Sequence, residues 1–177
     1  MIKHITKYNT PKAYLLITLG MLLHFTSCQR HSDMQSEGIQ TFQGVWKEQI
    51  DSNKNKLLNY TVHEFKFICD SVYVTMDVHA KTKTIADSCY KNGNWQEFAK
   101  AVYVQRGDSI LAEGVYTKED GKQKISGCYK NGQYLPRFKL IYNSSDSIVL
   151  QNKFESRPLI LKKVKDITCV PKKRWET

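Results

Sequence analysis

Residues 70–79 read Asp70-Ser71-Val72-Tyr73-Val74-Thr75-Met76-Asp77-Val78-His79. Val72, Val74, Met76 and Val78 lie on one side of an extended chain, and Tyr73, Thr75, Asp77 and His79 lie on the other. Successive side chains of a strand point to opposite faces, so this alternation predicts a strand with one face in a core. Its opening triplet returns as Asp108-Ser109-Ile110 and again as Asp146-Ser147-Ile148, a shift of 38 each time. Cys89-Tyr90-Lys91-Asn92-Gly93 likewise returns as Cys128-Tyr129-Lys130-Asn131-Gly132, a shift of 39. A repeat of this period marks one recurring supersecondary unit.

Turn residues divide each unit. Asn92-Gly93 and Asn131-Gly132 tolerate positive φ and suit type I′ hairpins. Asp120-Gly121, Arg106-Gly107-Asp108 and Asn143-Ser144-Ser145-Asp146 mark further turns. Between these turns the pattern predicts about ten strands, near 41–46, 60–68, 71–78, 83–90, 96–105, 109–116, 123–129, 134–142, 147–153 and 158–163. Each unit then holds three strands, and no helix is expected beyond the amino-terminal region. Short connections favour an all-β, single antiparallel up-and-down barrel of about eight to ten strands over a sandwich, which needs long crossovers.

The amino terminus addresses the protein. Lys3, Lys7 and Lys12 precede the apolar run Ala13 to Phe25, a pattern too short and wrongly flanked for a membrane span but right for a secretory signal. The stretch Leu23-His24-Phe25-Thr26-Ser27-Cys28 resembles the lipobox of bacterial lipoproteins. That resemblance implies cleavage before Cys28, palmitate-type acylation of Cys28, and anchoring to a membrane outside the cytoplasm. Gln29, where inner-membrane lipoproteins carry Asp, implies the outer membrane, on its periplasmic or cell-surface side. The expected organisation is a signal peptide at 1–27, a flexible polar tether at 28–40, a barrel at 41–165 and a basic tail at 166–177. Removing the signal leaves 150 of 177 residues, enough for one domain, and lowers the net charge from +10 to +7. Lys162, Lys163, Lys165, Lys172, Lys173 and Arg174 crowd the last sixteen residues and read as a solvated terminus. No aromatic-interleaved basic motif supports a nucleic-acid partner.

Phe42-Gln43-Gly44-Val45-Trp46 opens the first strand, and its Gly-x-Trp resembles the lipocalin and calycin superfamily. The resemblance implies that Gly44 turns the chain at the closed end of a barrel and that Trp46 plugs it. It also implies an arginine from the last strand packed on the tryptophan, for which Arg157 is the nearest candidate, with Lys162 and Lys163 behind it. The chain further resembles small lipoproteins of Bacteroidota, some of which carry a fumarate hydratase label. The residues do not support that label: the Gly-Ser-Ser loop ending in Met-Pro-x-Lys-x-Asn is absent, and so is iron–sulfur cysteine spacing.

Four cysteines remain besides Cys28. Cys69, Cys89, Cys128 and Cys169 are separated by 20, 39 and 41 residues, without the Cys-x-x-Cys spacing of a structural metal site. No metal or other cofactor is expected. With three strands per unit, Cys89 and Cys128 fall at opposite ends of the barrel and make the poorest pair. Cys69, Cys89 and Cys169 share an end. The lipocalin resemblance implies a tail-to-barrel disulfide, Cys69 to Cys169.

No catalytic motif emerges. His63 and His79 lie in strand-like runs, and neither Gly-x-Ser-x-Gly nor His-Glu-x-x-His occurs. The expected function is therefore non-enzymatic: a membrane-anchored binding module for a small apolar or amphipathic ligand. Its lining would come from Phe65, Val74, Met76, Val102, Val104, Ile110, Tyr134 and Phe138, residues that serve equally as a packed core. The alternative is a solid-barrel accessory or scaffold lipoprotein that contacts a protein through Tyr90, Trp95, Tyr129 and Tyr134. The three Asp-Ser-aliphatic triplets also resemble the O-glycosylation acceptor of Bacteroidota, which would modify Ser71, Ser109 and Ser147. Arg106-Gly107-Asp108 matches the integrin-binding tripeptide, but glycine beside charged residues is ordinary hairpin chemistry.

Overall fold

A computed structural model describes residues 35–50, 53, 56–83 and 86–173. The expected signal peptide, the acylated Cys28 and Arg174 lie outside the described residues. Nine strands occur among them: β1 (Gly44–Glu48), β2 (Asn59–Ile68), β3 (Ser71–Ala80), β4 (Asn94–Arg106), β5 (Ser109–Thr117), β6 (Gln133–Tyr134), β7 (Arg137–Asn143), β8 (Ser147–Asn152) and β9 (Leu159–Lys165). All pairings between them are antiparallel; consecutive strands pair in series, β4 with β5 included, and the chain-distant pairing of β1 with β9 completes the ring. The two-residue β6 extends the β5 edge beside β7, so the wall is an eight-stranded up-and-down barrel.

The alternation read in 70–79 is preserved. Val72, Val74 and Met76 of β3 are buried, as are Phe65 and Phe67 of β2, Ala99, Ala101 and Tyr103 of β4, and Leu159 and Leu161 of β9. These inward residues meet Phe42, Trp46, Ile110, Phe138, Ile148 and Leu150 in one core.

Two expected strands are absent. Residues 83–90 end in a short helix, α1 (Asp87–Tyr90), followed by a 3₁₀ turn at Lys91–Gly93, and 123–129 contributes only a bridge from Gln123 to Thr117. Neither stretch has a run of alternating apolar residues long enough to cover a core. The two Asn-Gly sites are also not matching hairpins. Lys91, Asn92 and Gly93 have positive φ in the first, whereas Tyr129 and Gly132 have it in the second.

The repeat unit therefore holds two barrel strands rather than three: β3 and β4, β5 and β7, then β8 and β9. An even number returns the chain to the same end, so all three Asp-Ser turns sit together. Each also makes the same backbone bond. The carbonyls of Asp70, Asp108 and Asp146 accept from the amides of Tyr103, Leu140 and Lys163 at 2.9, 2.6 and 3.0 Å. Cys89 and Cys128 likewise share an end, and they are bonded to each other with Cα atoms 5.6 Å apart. The pairing rejected from the three-strand count is thus present, because the count was odd where the fold is even. The second disulfide joins Cys69 to Cys169 across 100 residues.

The end carrying the Asp-Ser turns is closed. Gly44 enters β1 with φ of 139°, and a Cβ there would lie 2.6 Å from the Lys165 carbonyl. Trp46 is fully buried and donates Nε1–H to the Phe42 carbonyl at 2.7 Å, while the 3₁₀ turn Gln40–Phe42 seals the floor. The cation above its ring is the Lys163 ammonium, 4.8 Å from the centroid, not Arg157. Lys163 pairs with Trp46 in the β1–β9 register, whereas Arg157 lies in the β8–β9 connection at the opposite end.

Residues 35–40, expected within a free tether, are bonded to the barrel. Ser36 donates its amide and hydroxyl to Asp70 Oδ2 at 2.9 and 3.0 Å, and the Ile39 amide donates to Tyr103 Oη at 3.2 Å. Gln43 completes the junction by donating to the Cys69 carbonyl and accepting from the Cys69 amide.

Candidate binding site at the open end

The barrel interior is filled. The void bounded by Phe65, Phe67, Val72, Tyr103, Ile110, Tyr134, Phe138 and Leu150 is about 10 Å³, no more than one water requires. Phe65, Val74, Met76, Ile110, Tyr134 and Phe138 are therefore packed core. Val102 and Val104, expected among the lining, face outward; Val104 is 40 % exposed. The odd residues of β4 point inward, so Ala101 and Tyr103 take the places that apolar character alone assigned to the two valines.

The usable space lies at the other end. A cleft of about 840 Å³ is bordered by the end of β1, the start of β2 and the connection from β8 to β9. Its polar wall is Glu48 and His63. The Glu48 carboxylate accepts from the His63 amide at 2.9 Å and stands 2.8 Å from His63 Nδ1, with both side chains largely covered. His63 faces inward because it lies two residues before Phe65, whose ring it stacks on at 5.8 Å. Leu57, Tyr60, Pro158, Leu159 and Phe154 supply the apolar side, and Lys130 and Arg157 bring positive charge. Phe154 is 85 % exposed, with the Lys153 ammonium 6.0 Å from its ring centroid. Composition gave no sign of this residue's place. The parity of β2 could have identified His63.

A second polar cluster lies on the β4–β5 wall. Glu97 is 2 % exposed, and its Oε2 accepts from Lys124 Nζ at 2.8 Å. Lys124 belongs to segment 118–132, which folds back on the barrel mouth: its amide donates to the Tyr116 carbonyl at 2.8 Å, and Cys128 ties the segment to Cys89. Trp95 and Tyr129 stack with centroids 4.1 Å apart. Tyr134 is buried, and the Tyr90 hydroxyl donates to the Ala80 carbonyl, so the four aromatics considered for a protein-contact patch do not present one. Burial raises the Tyr116 phenol above its ordinary pKa, and the Glu97 charge adds to the effect.

The Asp-Ser serines differ in access. Ser71 and Ser109 are half-buried and donate to the aspartates before them, and Ser147 is 8 % exposed. Arg106-Gly107-Asp108 occupies the exposed β4–β5 turn, with Gly107 at φ 61°. Among the described residues no three His, Cys, Asp or Glu side chains are grouped to hold a metal ion, and no helix is long and apolar enough to cross a membrane.

No family model matches the chain, and no curated protein is similar to it. Among solved structures, a lipocalin-like protein from Bacteroides uniformis ATCC 8492 is similar over 70 % of this chain and 98 % of its own, at 17 % identity and a TM-score of 0.36. The described strands themselves form an eight-stranded antiparallel β-barrel, closed at one end by the 3₁₀ turn and by Trp46 under the Lys163 ammonium.

Proposed function

We propose that the protein is a lipid-anchored, exported binding module of the outer membrane that takes a small amphipathic ligand at the mouth of its barrel rather than inside it. The observation that carries this reading is the cleft of about 840 Å³ above a filled core, with apolar Phe154, Pro158 and Leu159 beside Arg157, Lys130 and the Glu48–His63 pair. A concave site of this size that sets apolar side chains beside convergent polar and charged groups suits an amphipathic small molecule. Anchoring through Cys28 is supported by the lipobox-like stretch 23–28 alone.

Native mass spectrometry of the protein, extracted from its own membranes in mild detergent, tests both halves. The expected spectrum shows acyl mass on Cys28 and a small molecule that is lost on denaturation, and that molecule is missing from Phe154→Ala and Arg157→Ala. An unmodified amino terminus overturns the anchor. A bare chain, with no bound molecule in the wild type, overturns the ligand and supports the accessory role through protein contacts.

A further inference from the structure

We propose that the aromatic and acidic wall beneath segment 118–132 is a second binding site, for a primary amine carried on an aromatic body, and that Lys124 and Tyr129 occupy it themselves in the closed form. Three buried polar atoms there have no hydrogen-bond partner: Trp95 Nε1, Glu97 Oε1 and Tyr129 Oη. An unpartnered buried polar atom is costly, and native folds seldom gather several in one place. The segment thus satisfies this wall incompletely. Its ammonium reaches one oxygen of Glu97, and its phenol ring covers Trp95.

The chemistry of the wall selects the ligand. A carboxylate 2 % exposed demands a cation; the Tyr116 and Tyr129 phenols lie near enough to feel its charge, and aromatic rings attract ammonium groups. Lys124 Nζ already stands 5.9 Å from the Tyr129 centroid. An amine joined to a ring would present both features of the segment at once, with spare donors for Glu97 Oε1.

The segment is mostly exposed and is held by few bonds to the barrel, among them the Lys124 amide to the Tyr116 carbonyl and Lys100 Nζ to the Gly121 carbonyl. Of its residues only Lys124, Cys128, Tyr129 and Gly132 are half-buried, and Ile125 is 79 % exposed. A Cβ placed at Gly121, Gly127 or Gly132 would meet nothing within 4 Å. Cys89–Cys128 keeps the segment near the mouth whether it is seated or lifted. Of this segment only Lys130 reaches the cleft lined by Glu48 and His63, and that cleft is tested through Phe154 and Arg157, so the two readings fail independently.

The test uses the full-length protein and phenethylamine as probe, read by calorimetry and by thermal shift. Lys124→Ala is expected to bind phenethylamine at least tenfold more tightly than the wild type and to gain melting temperature with it. Neutral 2-phenylethanol and anionic 3-phenylpropionate are expected to do neither. Adding Glu97→Gln to Lys124→Ala abolishes the response, whereas adding Phe154→Ala leaves it unchanged. Should Lys124→Ala not fold, the Cys89→Ser/Cys128→Ser variant, which frees the segment with Lys124 retained, is expected to show the same gain over wild type. Equal affinity in wild type and folded variant, no preference for the amine, or binding that survives loss of Glu97 overturns the proposal.

Discussion

Trp46 is held by burial, by its Nε1–H to the Phe42 carbonyl, and by the Lys163 ammonium over its ring. Trp46→Ala is expected to cost about 3–5 kcal/mol of unfolding free energy, and Lys163→Met about 0.5–2 kcal/mol; chemical denaturation measures both. Gly44→Ala is strained both in φ and in its approach to the Lys165 carbonyl and should destabilise the same end. The phenols carry the pH dependence. Burial raises the Tyr103 and Tyr134 pKa values above 10, and for Tyr103 the hydrogen bonds from Ile39 and Gln43 offset part of that rise. The folded state therefore holds these protons more tightly than the unfolded chain, so its stability is intact below about pH 10 and falls as pH rises further. Tyr134→Phe should flatten that fall in denaturant titrations between neutral and alkaline pH. A slope unchanged by the substitution would show that Tyr134 is not responsible. At this scale the Gly44 and Trp46 motif was legible, but its cation was not. The ring's neighbour is set by β1–β9 register, which pairs Trp46 with Lys163.

Among the elements, the strap at 35–43 and the Cys69–Cys169 bridge fasten both ends of the described chain to the closed face. Chain-entropy arguments assign about 4.7 kcal/mol to a bridge spanning a loop of this length and about 3.9 kcal/mol to Cys89–Cys128. Cys69→Ser/Cys169→Ser should therefore lower the denaturation midpoint more than Cys89→Ser/Cys128→Ser does. The opposite order would mean that the mouth, not the floor, limits stability. Eight of the barrel's strands were readable from alternation and turns, although β6 and β7 were merged. The two failures, 83–90 and 123–129, share a cause. Both lie near a Tyr-Lys-Asn-Gly sequence that suits a hairpin, yet Lys91 and Tyr129 adopt positive φ and send the chain out of the sheet.

The described residues form a barrel of unequal ends. Its lower half is packed with Phe42, Trp46, Phe67, Ile148 and Leu161, while the mouth is lined by ionisable groups and a loosely seated segment. Hydrogen exchange should follow this gradient. Amides of Trp46, Phe67 and Leu161 are expected to exchange only through global unfolding, and those of 118–132 several orders of magnitude faster. Uniform protection from floor to mouth would contradict a liftable segment. All three Asp-Ser turns share the closed end, so the connections that hold 86–93, 118–132 and 153–158 gather at the other, where the candidate sites are.

The sequence by itself determined the barrel: period-two alternation says which face of each strand is apolar, and an uninterrupted series of short connections leaves few ways to bury those faces. It also carried Gly44 ahead of Trp46, the pair whose resemblance to the lipocalin motif implied a tryptophan at a closed end. The disulfide partners, the filled interior and the mouth depended on tertiary structure. Whether Cys89 meets Cys128 turns on whether a unit has two strands or three, and one misread strand reverses the answer. Which side chains meet across the ring, and so whether Phe65 and Phe138 line a cavity or close it, depends on register and barrel radius. Those are settled by the packing of all eight strands together, and no local pattern encodes them.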